Sequence, residues 1–213
     1  MFAWLRRKPP PIGADKRRVL AALAGYPLYD PPRWISETKS FQAAAAEYTE
    51  FFLKHRNQRI EALSGFLAEF EVELSLNDEG LMAVSEWCPA YLDLMVDGLM
   101  HQGDAEDSIW CAYHWLETPW TDSLIGLNPI LDLGIYMGEC MLSRNPRLNW
   151  HPVVNPERDK GARHPIFGQS CGRSFDPIKW TYTECKNVHS ATITKQRHDT
   201  TRLYGTVHGR ALE

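Results

Sequence analysis

Asp132, Tyr136 and Glu139 stand out first, because carboxylates and a phenol at helical spacing can hold a metal or move a proton. They lie in the run Asn128-Pro-Ile-Leu-Asp-Leu-Gly-Ile-Tyr-Met-Gly-Glu139. At the helical angle per residue the three share one narrow face, and Leu131, Gly134, Ile135, Gly138 and Leu142 form a stripe opposite. The simpler reading of the polar face is a mostly buried helix that keeps one edge wet. That reading is the expectation. Under it, Asp132→Asn and Glu139→Gln change stability by no more than about 0.5 kcal/mol. Two glycines in one helix cost about 1 kcal/mol each relative to alanine, so a second helix is expected to approach closely at Gly134 and Gly138.

A second set joins His164, Cys171, Cys185 and His189, residue types that ligate structural zinc. The close first pair of a zinc site is missing, and Cys185-x₃-His189 is the one tight spacing, so ordinary scattered residues explain the set better. Cys111, His114 and Glu117 fall three apart on a candidate helix. A nucleophilic cysteine also needs an orienting group and an oxyanion site, and the neighbouring Trp110 and Trp115 favour packing. Ser36-Glu-Thr-Lys39 matches an acyl-enzyme tetrad, yet its companion motifs are absent and Ser36 reads as a helix cap. No phosphate-binding glycine loop occurs, so no cofactor is expected.

The elements that must position these residues are mostly helical. Residues 1–14 form a basic, Pro-rich lead-in, 15–185 a helical globular domain, and 186–213 a polar, partly irregular tail. Asp15 opens a short helix closed by Gly25, and Tyr26, Tyr29 and Trp34 anchor the Pro-rich connection that follows. Ser36 or Ser40 caps the next pattern, in which Phe41, Ala45, Tyr48 and Phe52 and then Ile60, Leu63, Leu67 and Phe70 mark an apolar face. Lys54 to Arg59 break that phase as a solvated mid-section, leaving one long helix or two kinked ones. The helix ends near Phe70 and an extended segment follows. Asn77 or Asp78 caps a helix toward Met100, in which Pro89 starts a new helix or makes a kink. Further helices are expected from Gly103 and from Asn128 or Pro129. Short strands are expected at 148–154 and 179–182. The fold class is mainly α (α+β): a single helical domain with a small irregular, β-containing C-terminal portion. Residues after about Asn187 hold few large apolar groups and are expected to add little stability.

Composition narrows the function. The 213 residues are 44% hydrophobic and 23% charged, as in an ordinary globular chain. The net charge of −4 gives no nucleic-acid signal. The most apolar stretch, 123–142, is interrupted by Asn128, Asp132 and Glu139 and makes a poor membrane span. Five cysteines, an odd number at long spacings, point to a reducing compartment, hence a cytoplasmic chain with all five unbridged.

Residues 128–139, with Leu76-Asn-Asp-Glu-Gly-Leu81, Trp120-Thr-Asp122 and Asn145-Pro-Arg-Leu-Asn-Trp150, resemble a family of uncharacterised bacterial proteins. The chain is also loosely similar to immunity proteins encoded beside bacterial toxins. That resemblance implies a non-enzymatic, protein-binding role toward another bacterial protein, immunity-like or regulatory, and it assigns no site residue. The alternative is a metal-dependent or hydrolytic enzyme using Asp132 and Glu139 with His101, His114 or His151.

Overall fold

The computed structural model describes residues 14–32, 40–96, 109, 113, 118–152, 166–167 and 175–211. Among them, α1 spans Ala14–Leu23, α2 Phe41–Ala68, α3 Asp78–Met95, α4 Leu127–Arg144, α5 Pro177–Thr194 and α6 Arg202–Ala211. A 3-10 turn, Asp122–Leu124, leads toward α4, and β1 (Trp150–His151) pairs antiparallel with β2 (Ile166–Phe167). The described residues form a helical domain with little β-structure, as the apolar periodicity implies.

α2, α3 and α5 start where short polar side chains can satisfy their free N–H groups. Ser40 accepts from the Ala43 amide at 3.3 Å, Asn77 from Gly80 at 2.9 Å, and Asp176 from Lys179 at 2.8 Å. Pro177 then occupies the first turn of α5, where its missing N–H leaves no bond unmade. α2 passes through Lys54 to Arg59 as one helix, and the chain beyond Glu71 is non-helical until Asn77. Pro89 neither restarts nor ends α3, which continues through it to Met95. The helix expected from Gly103 and the lead-in before residue 14 lie outside the described residues, although Ile109 and Tyr113 are buried in the core.

α4 is the central element. It buries 14 of its 18 residues and packs chiefly on α5, with α2 and α6 also against it. The close approach expected of its glycines is present at Gly134. A methyl there would lie 2.7 Å from the Ile178 Cα and 3.0 Å from Thr181 Oγ1, both on α5. Thr181 also donates to the Ile130 carbonyl at 3.2 Å, tying the two helices at their crossing.

The C-terminal third corrects the expectation. Residues 179–182, expected as a strand, belong to α5, and the strand expected at 148–154 is limited to Trp150–His151 among the described residues. The segment expected as an irregular tail from residue 186 continues α5 and then forms α6, which buries Leu203, Val207 and Ala211. These recur at i, i+4 and i+8, a one-sided stripe that docks the helix, with Tyr204 partly buried beside it. Polar anchors complete the docking. Glu184, buried on α5, accepts from Arg202 Nε at 2.9 Å and sits 2.8 Å from His198 Nε2. Ser85 on α3 donates to the Thr200 carbonyl at 2.5 Å.

Two measurements follow. Gly134→Ala should destabilise by about 1–3 kcal/mol in urea unfolding, although alanine is the better helix former, because the new methyl meets backbone. A chain ending at Asn187 loses buried Val188, Leu203 and Val207, each worth about 1.5–3 kcal/mol. Its melting temperature should fall by roughly 10 °C or more.

Candidate functional site

The polar face of α4 leads inward, not to water. Asp132 is fully buried, and Arg59, 5% exposed, reaches it from α2. Arg59 Nε donates to Asp132 Oδ1 at 2.8 Å and Nη2 to Oδ2 at 2.7 Å, the parallel two-bond geometry that suits guanidinium and carboxylate. The Tyr26 hydroxyl donates to Oδ2 at 2.5 Å. Arg59 Nη1 donates to the carbonyls of Pro27 at 2.8 Å and Leu28 at 3.2 Å, and the guanidinium lies 5.6 Å from the ring centres of both Tyr26 and Tyr29. Burial pushes the Asp132 carboxyl up to about 6, while Arg59 and the Tyr26 hydrogen bond pull the other way. At neutral pH it is the counter-charge of Arg59.

The same segment is held from its other side. Asn128, at the start of α4, accepts from the Tyr29 amide at 2.7 Å and donates to the carbonyls of Trp120 and Ile125 at 3.0 and 2.8 Å. The Tyr29 ring stacks on Trp120, Trp120 on Tyr113, and Tyr113 on Tyr182, with centroids 5.9, 5.5 and 4.9 Å apart. Residues 26–29 are therefore a fixed strap across α2 and α4.

The three expected site residues do not converge. Tyr136 donates to the Ser75 carbonyl at 2.6 Å and is fully buried. Glu139 accepts from Trp150 Nε1 at 2.9 Å and lies 3.1 Å from Arg56 Nε. The wet edge is thus a correction: at Asp132 and Tyr136 it is a buried, hydrogen-bonded seam. His151 follows Trp150 on β1 and points the other way, to solvent. Among the described residues no group of three His, Cys, Asp or Glu could hold a metal ion.

Cys185 and His189 are both buried on α5, and His164 and Cys171 lie outside the described residues. His189 Nδ1 hydrogen-bonds the Asp93 carboxylate, so a cysteine, a histidine and an aspartate do share this region. Cys185 is turned toward the backbone there. Its thiol points at the Leu92 carbonyl 3.5 Å away, and burial raises its pKa far from the thiolate range. Cys88, Cys140 and Cys185 are unbridged, and Cys111 and Cys171 are outside the described residues. So are Ser36, Lys39, His101, Trp110, His114, Trp115 and Glu117.

Beside the strap lies a cleft of about 320 Å³, between Leu28 and Asp30 on one side and Phe51, His55, Arg59 and Glu61 of α2 on the other. His55 Nδ1 is 2.8 Å from the Phe51 carbonyl, and the two rings lie 4.2 Å apart. Leu28 is 47% exposed at its rim. A wider recess of about 470 Å³ sits at Leu76, Asp78 and Arg144. The sequence reading did not single out Arg59, Leu28, His55 or Asn128 as site residues. No family model matches the chain, and no curated protein or solved structure matches it. Among the described residues no helix is long and apolar enough to cross a membrane.

Asp132→Asn should cost about 3–5 kcal/mol, since it leaves Arg59 buried without its counter-charge. Arg59→Met with Asp132→Leu should be far milder than the sum of the single changes. Urea unfolding of the four proteins gives the coupling, and additive losses would contradict a mutually dependent pair.

Proposed function

We propose that the chain acts by binding another protein, in an immunity-like or regulatory role, and not by catalysis. The observation that supports this reading is the internal use of the α4 polar face. Asp132 accepts from Arg59 and Tyr26, Tyr136 donates to a backbone carbonyl, and Glu139 accepts from Trp150. Metal-dependent or hydrolytic chemistry needs side-chain atoms open to an ion, a water or a substrate. The carboxylate that the sequence marks most clearly has no such opening.

The cleft beside the strap is a different kind of feature. It combines an exposed aliphatic rim at Leu28, an aromatic wall at Phe51 and His55, and polar groups at its edge. Recesses of this kind seat the anchor side chains that dominate protein interfaces. A net charge of −4 suits a basic partner, because opposite potentials speed encounter and fix orientation.

The test compares two exposed leucines on opposite sides of the structure around α2. A partner retained stoichiometrically by the native chain, from extracts of its own cells, should be lost from Leu28→Arg, which puts a competing cation at the cleft rim, and kept by Leu53→Arg. The rival enzyme using Asp132 and Glu139 predicts saturable thermal stabilisation by zinc or manganese that Glu139→Gln abolishes. That result would overturn the binding reading.

A further inference from the structure

The charge of the cleft follows from which of its groups are already engaged. Arg59 is the one arginine or lysine among the described residues that line it, and all three of its guanidinium nitrogens have partners inside the protein: Asp132 and the carbonyls of Pro27 and Leu28. Asp132 cancels its charge. Asp30, just after the strap, and Glu61 on α2 also line the cleft, and both residues are exposed. No ion pair joins either carboxylate to a described basic side chain. Among the described residues the recess therefore presents uncompensated negative charge above a neutralised floor, which disfavours anions and favours cations.

Its other walls narrow the cation. Phe51 and His55 present paired rings, Leu28 and Ala62 supply aliphatic surface, and Gln58 adds an amide. The volume, about 320 Å³, is at the small end of ligand sites, enough for one long side chain. A guanidinium is flat, stacks on aromatic faces and offers five donors to carboxylates, and its stem covers apolar surface. We infer that this cleft receives an arginine side chain presented by a protein partner, with Asp30 and Glu61 as its counter-charges and Phe51 and His55 as its stacking wall. The inference rests on the binding role proposed above and gives that role its recognition chemistry.

The experiment is a chemical-shift titration of the full ¹⁵N-labelled chain with N-acetyl-arginine methylamide. Its neutral isostere, N-acetyl-citrulline methylamide, and free spermidine are the comparison probes. The arginine probe should shift the amides of Leu28, His55 and Gln58 saturably and bind at least about tenfold more tightly than the citrulline probe. The combined change Asp30→Asn and Glu61→Gln should weaken the arginine probe by about tenfold or more, with the melting temperature held within a few degrees. Should that variant unfold, salt decides. Raising it to about 1 M, where charges are screened beyond roughly 3 Å, must weaken binding of the arginine probe to the native chain. Equal binding of arginine and citrulline probes, shifts centred away from the cleft, or insensitivity to salt would each overturn the inference. Spermidine binding about tenfold more tightly than the arginine probe would overturn the protein source in favour of a free organic cation. Partner loss in Leu28→Arg together with a silent arginine titration would remove the arginine chemistry alone and leave the binding role standing.

Discussion

Asp132 has no access to water and Arg59 has almost none, so each charge depends on the other. Moving either ion from water into the interior alone would cost several kcal/mol, and only close, well-aligned pairing offsets that. The requirement reaches well past two side chains. Arg59 must be on the inner face of α2, and Asp132 must be opposite it on α4. The remaining guanidinium nitrogen must find acceptors, which the strap supplies as the carbonyls of Pro27 and Leu28. A one-residue slip of α2 would turn Arg59 away by about 100° and strand Asp132. The pair therefore fixes the register of two helices and the path of the strap together. Its net stabilisation is modest, because an apolar replacement of both partners would satisfy the same space.

α4 carries the rest of the core because it is almost entirely enclosed. Its small-residue side at Gly134 lets α5 approach until backbone meets backbone, and its polar side closes on α2 and the strap. The aromatic stack from Tyr29 through Trp120 and Tyr113 to Tyr182 then runs from strap to α5. Offset ring stacking adds about 0.5–1.5 kcal/mol per pair beyond the area buried. Strap and α5 never need to touch directly to be coupled, since each leans on the same rings.

The sequence announced features whose physics is local. Ser40 and Asn77 cap helices because a short polar side chain before an apolar run has few other uses, and Gly134 marks a close crossing because a helix tolerates glycine poorly. It was misleading where a residue's role depends on a distant partner. Arg59 falls in the polar stretch 54–59 and reads as solvated. Yet it is seven residues beyond Phe52 and four before Leu63, within the buried stripe, and that position was the available signal. Asp132 looked like a wet edge because nothing nearby in sequence could neutralise it. The helices after residue 186 were hidden for a related reason. Leu203 and Val207 are too few to suggest a core segment, and the docking also relies on Glu184 with Arg202 and His198, groups usually read as surface.

The internal use of charge also bears on how the cleft would receive the partner proposed above. Its strap side is backbone that the buried pair and Asn128 already hold in place, and its other wall is a continuous helix. An incoming group does not have to order either wall, so little of the interaction energy is lost in ordering the receptor. The arrangement separates two tasks that compete in many sites. Arg59 and Asp132, the groups whose charges would be hardest to leave unpaired, serve the fold. Asp30 and Glu61 are exposed and contribute nothing to the buried network, and on the proposed reading they would set what the cleft attracts. On that reading, changes at those two positions would alter partner preference without disturbing α2, α4 or the strap between them.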